Sequence, residues 1–429
     1  MNIPNTTQPR LVIIGGGFAG MNLAKALVEN KNFQVVLIDK HNYHTFQPLL
    51  YQVSTAGLEP DSIAYPLRKT IKNGKHIFFR LAEVQHISAE RQVISTTIGD
   101  LSFDYLVIAT GSKTNFFGNK AIEANAVWMK TVPQALNIRS LILQNLEQAT
   151  ITSQPKERAA LLRFVIAGGG PTGVELAGAI AELRNNVVER DYPDIKASEI
   201  SIYLIEGASR VLAAMSEKSS KAASKFLKEL GVEILLNTRV EDYNGSLVTT
   251  NQADLALETK TFIWSAGVTG APVEGLQASA LIKQANRYKV NVYNQIEPYK
   301  NIFALGDIAC MQTEALPKGH PMLAQPAIQQ AKHLAKNLER LLANKSLLPF
   351  AYNDKGTMAT VGRNKAVVDR NKKTYTGFFA WFIWMLVHLW FLVGFRNRVI
   401  TFFNWSYNYI NYDKAARLII RPFKRNLDS

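Results

Sequence analysis

Two glycine clusters carry the clearest chemistry in this chain. Gly15-Gly16-Gly17-Phe18-Ala19-Gly20 follows the apolar run Leu11-Val12-Ile13-Ile14, and Gly168-Gly169-Gly170-Pro171-Thr172-Gly173 follows Phe164-Val165-Ile166-Ala167. Both read G-x-G-x-x-G between a buried strand and a helical pattern, the context in which this spacing binds a dinucleotide. Gly15 and Gly168 permit the tight turn, and Gly17 and Gly170 let backbone approach a pyrophosphate. Gly20 and Gly173 let the helix pack on its strand. The pyrophosphate then rests on the free N–H groups and positive end of the helix. Two such units in one chain imply two nucleotides brought face to face.

The carboxylates that should follow are present. Val35-Val36-Leu37-Ile38 reads as a buried parallel strand and ends in Asp39, at the spacing expected of an adenosine-ribose acceptor. In the second unit Ile202-Tyr203-Leu204-Ile205 ends in Glu206, after a polar insertion spanning residues 184–199. A carboxylate at that strand tip repels a ribose 2′-phosphate and favours NADH over NADPH; Arg210, four residues on, pulls the other way. Glu175, two residues past Gly173, is expected in the first turn of the second fingerprint helix, where a carboxylate suits the helix dipole.

These residues need a doubly wound framework. Residues 10–115 alternate strand and helix signals and close on Tyr105-Leu106-Val107-Ile108-Ala109-Thr110-Gly111. Residues 160–285 repeat the pattern and include Thr261-Phe262-Ile263-Trp264-Ser265-Ala266-Gly267. A buried strand ending in small residues brings backbone close to a ligand at the sheet's carboxyl edge, which marks Gly111, Ala266 and Gly267 as binding positions. Ile302-Phe303-Ala304 is expected to return to the first sheet, ahead of Gly306-Asp307. The fold class is therefore α/β, with two Rossmann-like dinucleotide-binding domains, the second inserted in the first. The expected bounds are 1–150 with 286–345 for the first domain, 160–285 for the second and 350–429 for a C-terminal membrane-associating helical region.

The chain has 429 residues, a formal net charge of +15 and 47% hydrophobic residues, which describes a globular protein with anionic partners. No basic run with interleaved aromatics lies in the nucleotide units, so nucleic acid is not the expected partner. A single cysteine, Cys310, excludes an internal disulfide and a Cys-x-x-Cys centre. The polar stretch before the first strand resembles neither a signal nor a transit peptide, so the nucleotide domains are expected in the cytoplasm. Residues 377–395 form an apolar, aromatic run whose only plainly polar side chain is His388. Arg396, Asn397 and Arg398 follow, then a second apolar stretch at 399–410, then Lys414, Arg417, Arg421, Lys424 and Arg425. The first run barely reaches the length of a membrane span, and the second is too short to return. The preferred reading is a pair of interfacial helices whose basic flanks meet anionic headgroups; a spanning helix and a buried or dimer-forming helix are the alternatives.

Together these motifs resemble the type II NADH:quinone oxidoreductases, over nearly the whole chain. The most specific piece is Ala324-Gln325-Pro326-Ala327-Ile328-Gln329-Gln330, similar to that family's A-Q-x-A-x-Q quinone signature. His41-Asn42-Tyr43-His44-Thr45-Phe46-Gln47-Pro48-Leu49-Leu50-Tyr51 resembles the family's loop after the first acidic strand. The resemblance implies non-covalent FAD on the first fingerprint and NADH, the substrate, on the second. It also implies Asp307 on the ribityl and phosphate region, and Lys40, Val84, Ala324 and Gln325 as further cofactor contacts. Glu175 would then stand beside the flavin where nicotinamide docks, with Gln325 and Gln329 as the quinone-side residues.

Residue physics agrees with those roles. Pro326 suits a helix start, and the apolar spacing after it is helical. Gln325 and Gln329 lie four apart, on one side of the first turn, with amides that can both donate and accept. A helix N-terminus aimed at a flavin would stabilise negative charge developing there. His44, His388 and Cys310 have no metal-ligand partners at suitable spacing and read as structural, so no metal is expected. The expected activity is FAD-dependent oxidation of NADH with two-electron reduction of a membrane quinone. It would work in a respiratory chain without proton pumping, peripherally on the cytoplasmic face of the membrane. A homodimer is a further possible assembly. The alternatives are a flavin reductase of ferredoxin or rubredoxin, and a non-catalytic sensor holding FAD and NADH.

Overall fold

The computed structural model describes residues 1–314, 316–411 and 417–424. Its chain divides into two compact units, and each repeats one plan. In the first unit, five parallel strands run in the order Ile302–Ala304, Tyr105–Ile108, Arg10–Ile14, Gln34–Asp39, Ile77–Leu81. The fingerprint strand sits between its successor and a later strand, with Ile14 opposite Ile38 on one side and Ile108 on the other. That reversal of strand order is the switch point at which open α/β sheets bind ligands, beyond the carboxyl ends of the strands. Leu11, Val12 and Ile13 are fully buried, as are Val35 to Ile38. Apolar side chains on both faces are what strands covered on both sides demand.

The second unit orders Val127–Trp128, Thr261–Trp264, Arg163–Ala167, Ser201–Ile205 and Glu233–Leu235 in the same way, again all parallel. Its fingerprint helix spans Pro171–Leu183, the counterpart of Phe18–Ala26 in the first unit. The strand Ile302–Ala304 does return to the first sheet, so the second sheet is inserted within the chain of the first.

The unit boundaries depart from the expected ones. The first unit comprises Met1–Thr45, Tyr65–Lys113 and Val268–Asp354; the second takes Phe46–Ala64, Thr114–Gly267 and the described residues from Lys355 onward. Residues 114–150, expected with the first sheet, belong to the second unit. The helix Val132–Ile151 instead packs on Val127–Trp128 and Thr261–Trp264, because its buried residues need an apolar sheet face nearby. Residues 268–285 join the first unit, where Leu281–Ile282 pairs with Arg287–Lys289.

The C-terminal region groups with the second unit by its contacts and contains strands as well as helices. Three antiparallel strands, Thr357–Gly362, Lys365–Arg370 and Lys373–Gly377, precede its helices; the first packs on the helix Pro171–Leu183, the other two on Glu217–Glu229 and Phe378–Phe391. The approach is so close that a Cβ at Gly178 would lie 1.8 Å from the Val361 carbonyl oxygen. Their buried residues come in short consecutive runs, 359–361 and 366–368, which give no two-residue alternation to mark a strand.

Two helices follow, Phe378–Phe391 and Phe395–Asn411, with Gly394 at φ 89° between them. Fourteen residues make a helix of roughly 21 Å, short of a hydrocarbon core about 30 Å thick. No helix among the described residues is long and apolar enough to cross a membrane. Ala380, Trp384 and His388 face inward at spacing four, while Phe378, Phe382, Leu386 and Trp390 stay exposed on the other side. Trp390 is 73% exposed and Phe395 82%. A patch of large apolar side chains on that scale marks an interaction face.

Two of the basic residues at the C-terminal end have partners within their own unit. Arg417 pairs with Asp191 at 2.5 Å, and Arg421 donates to the Asn137 side chain at 2.7 Å, so both turn back onto the unit's own surface. Lys424 is exposed; Lys414 and Arg425 lie outside the described residues.

Candidate functional site

The two fingerprints are built alike, and the space around their glycines separates three jobs. A Cβ at Gly15 would lie 2.4 Å from the Ala109 oxygen, and one at Gly20 would lie 1.8 Å from the Gly15 oxygen. At Gly168 it would sit 2.7 Å from the Ala266 backbone, and at Gly173 1.8 Å from the Gly168 oxygen. Protein atoms therefore close the first and third glycines of both motifs. The middle glycines, Gly17 and Gly170, meet nothing within 4 Å. Neither does Gly111, held at φ 70° beyond its strand. An open face at the middle glycine, next to a helix N-terminus, is the cradle a dinucleotide pyrophosphate requires, so the residues fit FAD and NADH.

Asp39 and Glu206 have a second task that spacing did not reveal. Asp39 accepts from the Gly16 N–H at 2.5 Å and the His41 N–H at 2.6 Å. Glu206 accepts from the Gly169 N–H at 2.5 Å and the Ala208 N–H at 2.7 Å. Each carboxylate thus fixes the N–H of the residue that precedes the open glycine and keeps lone pairs for a ribose. The carbonyl of the same residue, one peptide further along, is held too. The buried His44 ring nitrogen Nδ1 lies 3.1 Å from the Gly16 oxygen, and the Leu212 N–H donates to the Gly169 oxygen at 2.7 Å. Burial pushes the His44 imidazole down to about 4, so it is neutral at physiological pH, and Nδ1–H is the donor that the carbonyl needs. Lys40 is exposed beside Asp39, and Val84 is half-buried at the start of the strand Val84–Ser88.

In the first unit, Asp307 lies in the turn Gly306–Ile308 and accepts from the Ser112 hydroxyl at 2.6 Å. Gly306 nestles between Ala19 and Ala327, where the fingerprint helix meets the helix Ala324–Leu342. Gln330, buried on that helix, accepts from the Gly306 N–H at 2.7 Å and so positions the Gly306-Asp307 turn. Gln330 is not among the glutamines that the sequence pattern marks, which are Gln325 and Gln329. A usable signal existed: Gln330 falls on the apolar stripe with Ala327, Ala331 and Leu334, where a polar residue needs a reason. Ser112 had no signal beyond following Gly111.

Ala324 and Gln325 open the helix and are half-buried, with Pro326 in its first turn. Gln329 is tied at both ends of its amide: Nε2 donates to the Asn353 oxygen at 2.9 Å, and Oε1 accepts from the Asn353 N–H at 3.0 Å. One amide hydrogen and one lone pair remain. In the second unit, Gly267 lies against Phe117, and Ala266 is exposed at the carboxyl edge of the sheet.

Glu175 lies further along its helix than its spacing predicts. The helix starts at Pro171, so Glu175 stands beyond the first turn, which contains no acid. Its helix-dipole support is gone. What dominates is desolvation, which raises the carboxyl from 4.5 to about 8, partly opposed by the Thr360 backbone N–H. The residue retains intermediate surface exposure while its carboxyl is buried. A perturbed acid on a nucleotide-binding helix is a functional candidate.

His388 bonds the Trp384 oxygen through Nδ1 at 2.8 Å, stacks on Trp384 at 4.2 Å, and is pushed down to about 4 by burial. Cys310 is buried, and burial raises its thiol. No cluster of metal-ligating side chains occurs among the described residues.

Comparison with known proteins agrees with this geometry. Residues 9–331 match the family described as pyridine nucleotide-disulphide oxidoreductase, and residues 355–411 match the NDH2 C-terminal domain. The chain is 36% identical to a type II NADH:quinone oxidoreductase of Mycobacterium tuberculosis, over 95% of this chain and 90% of that one. It is 30% identical to the type II NADH:quinone oxidoreductase of Haemophilus influenzae, covering 88% and 92%. Its fold is similar to that of NDH2 from Plasmodium falciparum solved in complex with NADH, with a TM-score of 0.88 at 23% identity, over 96% of this chain and all of that one.

Proposed function

Because this chain belongs to the type II NADH:quinone oxidoreductase family, we propose how its own residues carry out the family reaction. The enzyme oxidises NADH and reduces a quinone by two electrons, with FAD as cofactor. FAD, when bound, supplies the hydride-accepting and electron-donating chemistry; the protein supplies position, polarity and proton control. The observation that carries this reading is the pair of cradles with only their middle glycines open.

Gly15, Gly17, Gly20 and Asp39 hold FAD in the first unit, with Lys40, Val84, Gly111, Asp307, Ala324 and Gln325 as further contacts. Gly168, Gly170 and Gly173 receive the NADH pyrophosphate, and Ala266 and Gly267 approach it from the sheet edge. Glu206 accepts from the ribose hydroxyls and repels a 2′-phosphate. Arg210 does not offset this freely, because its Nη2 donates to the Ala213 oxygen at 2.8 Å. Glu175, still protonated at neutral pH, orients the nicotinamide side and holds a proton there. Gln325 and the remaining amide hydrogen of Gln329 serve the quinone side, where a carbonyl needs donors.

The exposed aromatics of Phe378–Phe391 and Phe395–Asn411 settle peripherally into the cytoplasmic face of an anionic membrane and admit quinone from it. Trp390 and Phe395 provide the apolar contact, and Lys424 the charge. Purified protein should be yellow, bleach on NADH and recolour on a water-soluble quinone. A colourless, folded chain that takes up no FAD would sink this reading. Bleaching that only an iron–sulfur protein reverses would leave FAD and NADH in place and remove the quinone.

A further inference from the structure

The indole of Trp405 lies on the C-terminal helix Phe395–Asn411, and its Nε1–H donates to Gln52 Oε1 at 2.8 Å. Gln52 Nε2 donates in turn to the Tyr51 phenolic oxygen at 2.9 Å. Tyr51 lies on the short helix Leu50–Ser54, which packs against the Glu175 helix Pro171–Leu183.

Donor inventory gives this chain a direction. An indole N–H can only donate, so it pins the oxygen end of the Gln52 amide and turns the amide nitrogen toward Tyr51. The phenol oxygen receives that N–H, and its own hydrogen is left to donate away from Gln52. The charges within electrostatic reach of the buried phenol are those of Glu175 and Glu182. Burial first, and then the Glu175 charge, push the phenol well above its usual value, so Tyr51 stays protonated and remains a donor.

We propose that Trp405, Gln52 and Tyr51 form a one-way hydrogen-bond chain, anchored on the C-terminal helix, that presents the Tyr51 hydroxyl proton to the Glu175 side of the nicotinamide site. Tyr51 and Gln52 are then positioning residues for hydride transfer. The proposal rests on the assignment of Glu175 to that site. The surroundings leave Tyr51 as the adjustable donor. The strand Thr357–Gly362 brings the Thr360 N–H to Glu175, while the Arg363 N–H just beyond it is bonded to Glu182 on the same helix as Glu175. On the helix Glu217–Glu229, Glu217 pairs with Lys221 and Glu229 with Lys365. Tyr203 on the strand Ser201–Ile205 interacts with Glu233 and Arg163. Arg184, at the end of the Glu175 helix, donates to the Ile200, Leu230 and Gly231 oxygens.

The test is the pH dependence of flavin bleaching by NADH, followed by rapid mixing in the full-length, FAD-loaded protein. Trp405→Phe keeps an aromatic ring but frees the Gln52 amide to turn, so that Tyr51 donates back to Gln52. Tyr51→Phe removes the proton outright. Each is expected to move the inflection up by at most about one pH unit, because the ionised carboxylate loses the hydroxyl dipole turned toward it. The double variant should move it no further than either alone. Gln52→Met gives the same shift should Trp405→Phe fold poorly, and a purely structural role would lower the melting temperature without moving the inflection. An inflection that stays in place in Tyr51→Phe and Gln52→Met, or additive shifts in the double variant, overturns the chain. Glu175→Gln separates the two layers: loss of the inflection upholds the Glu175 assignment, and its persistence removes that assignment and the chain with it.

Discussion

Replacing Glu175 by Gln should make the protein more stable in alkaline solution. The folded chain holds this carboxyl at about 8 against 4.5 without its environment, with burial as the main cause. The folded state therefore binds the proton more tightly than the unfolded state. The stability this contributes is full below about pH 4.5 and is lost as pH rises through 8. Complete loss is worth about 5 kcal/mol as an upper bound, since each pH unit is 1.36 kcal/mol and a buried site relaxes when it ionises. Between pH 6 and pH 9 the expected change is about 3 kcal/mol. Gln is nearly isosteric and does not titrate, so it retains the packing and drops the pH dependence. Urea unfolding of both proteins at pH 6 and pH 9 isolates the effect, because every other group cancels in the difference. The gap between them should widen by about 3 kcal/mol in favour of Gln. Curves that run parallel from pH 6 to pH 9 would refute the claim that desolvation governs Glu175.

The glycines offer a sharper contrast. Gly17→Ala points its methyl into open space, so the FAD-free protein should melt normally while FAD binds about tenfold more weakly or worse, by equilibrium dialysis. Gly20→Ala collides with the Gly15 oxygen and should fail to fold, seen as loss of soluble protein. Gln330→Leu strands the buried Gly306 N–H and should cost about 1–3 kcal/mol in denaturant unfolding, with faster FAD loss on gel filtration. Glu206→Ala should raise the NADPH-to-NADH ratio of kcat/KM about tenfold. An unchanged ratio would remove Glu206 from cofactor selection. Trp390→Ser with Phe395→Ser should weaken binding to anionic vesicles by about tenfold or more, measured by sedimentation. The melting temperature should hold, because both side chains are already exposed.

Local pattern determined a good deal of this protein. Glycines at fixed offsets after apolar runs located both cradles, and the same runs located the central strands, because strands buried on both faces must be apolar throughout. Asp39 and Glu206 were legible as strand tips, and Ile302–Ala304 as a returning strand. Chain-distant contacts decided the rest. No spacing rule could reveal that Val361 would pack onto Gly178 and draw the C-terminal strands onto the second unit. Nor could it show Arg417 folding back to Asp191, or Gln330 holding Gly306. Glu175 marks the division most clearly. Its position beside a fingerprint was visible in the sequence, but its protonation depends on which distant segments exclude water from it. Helix and strand periodicity report what a residue's neighbours in sequence require; desolvation and hydrogen-bond direction are set by residues that meet only after the chain has folded.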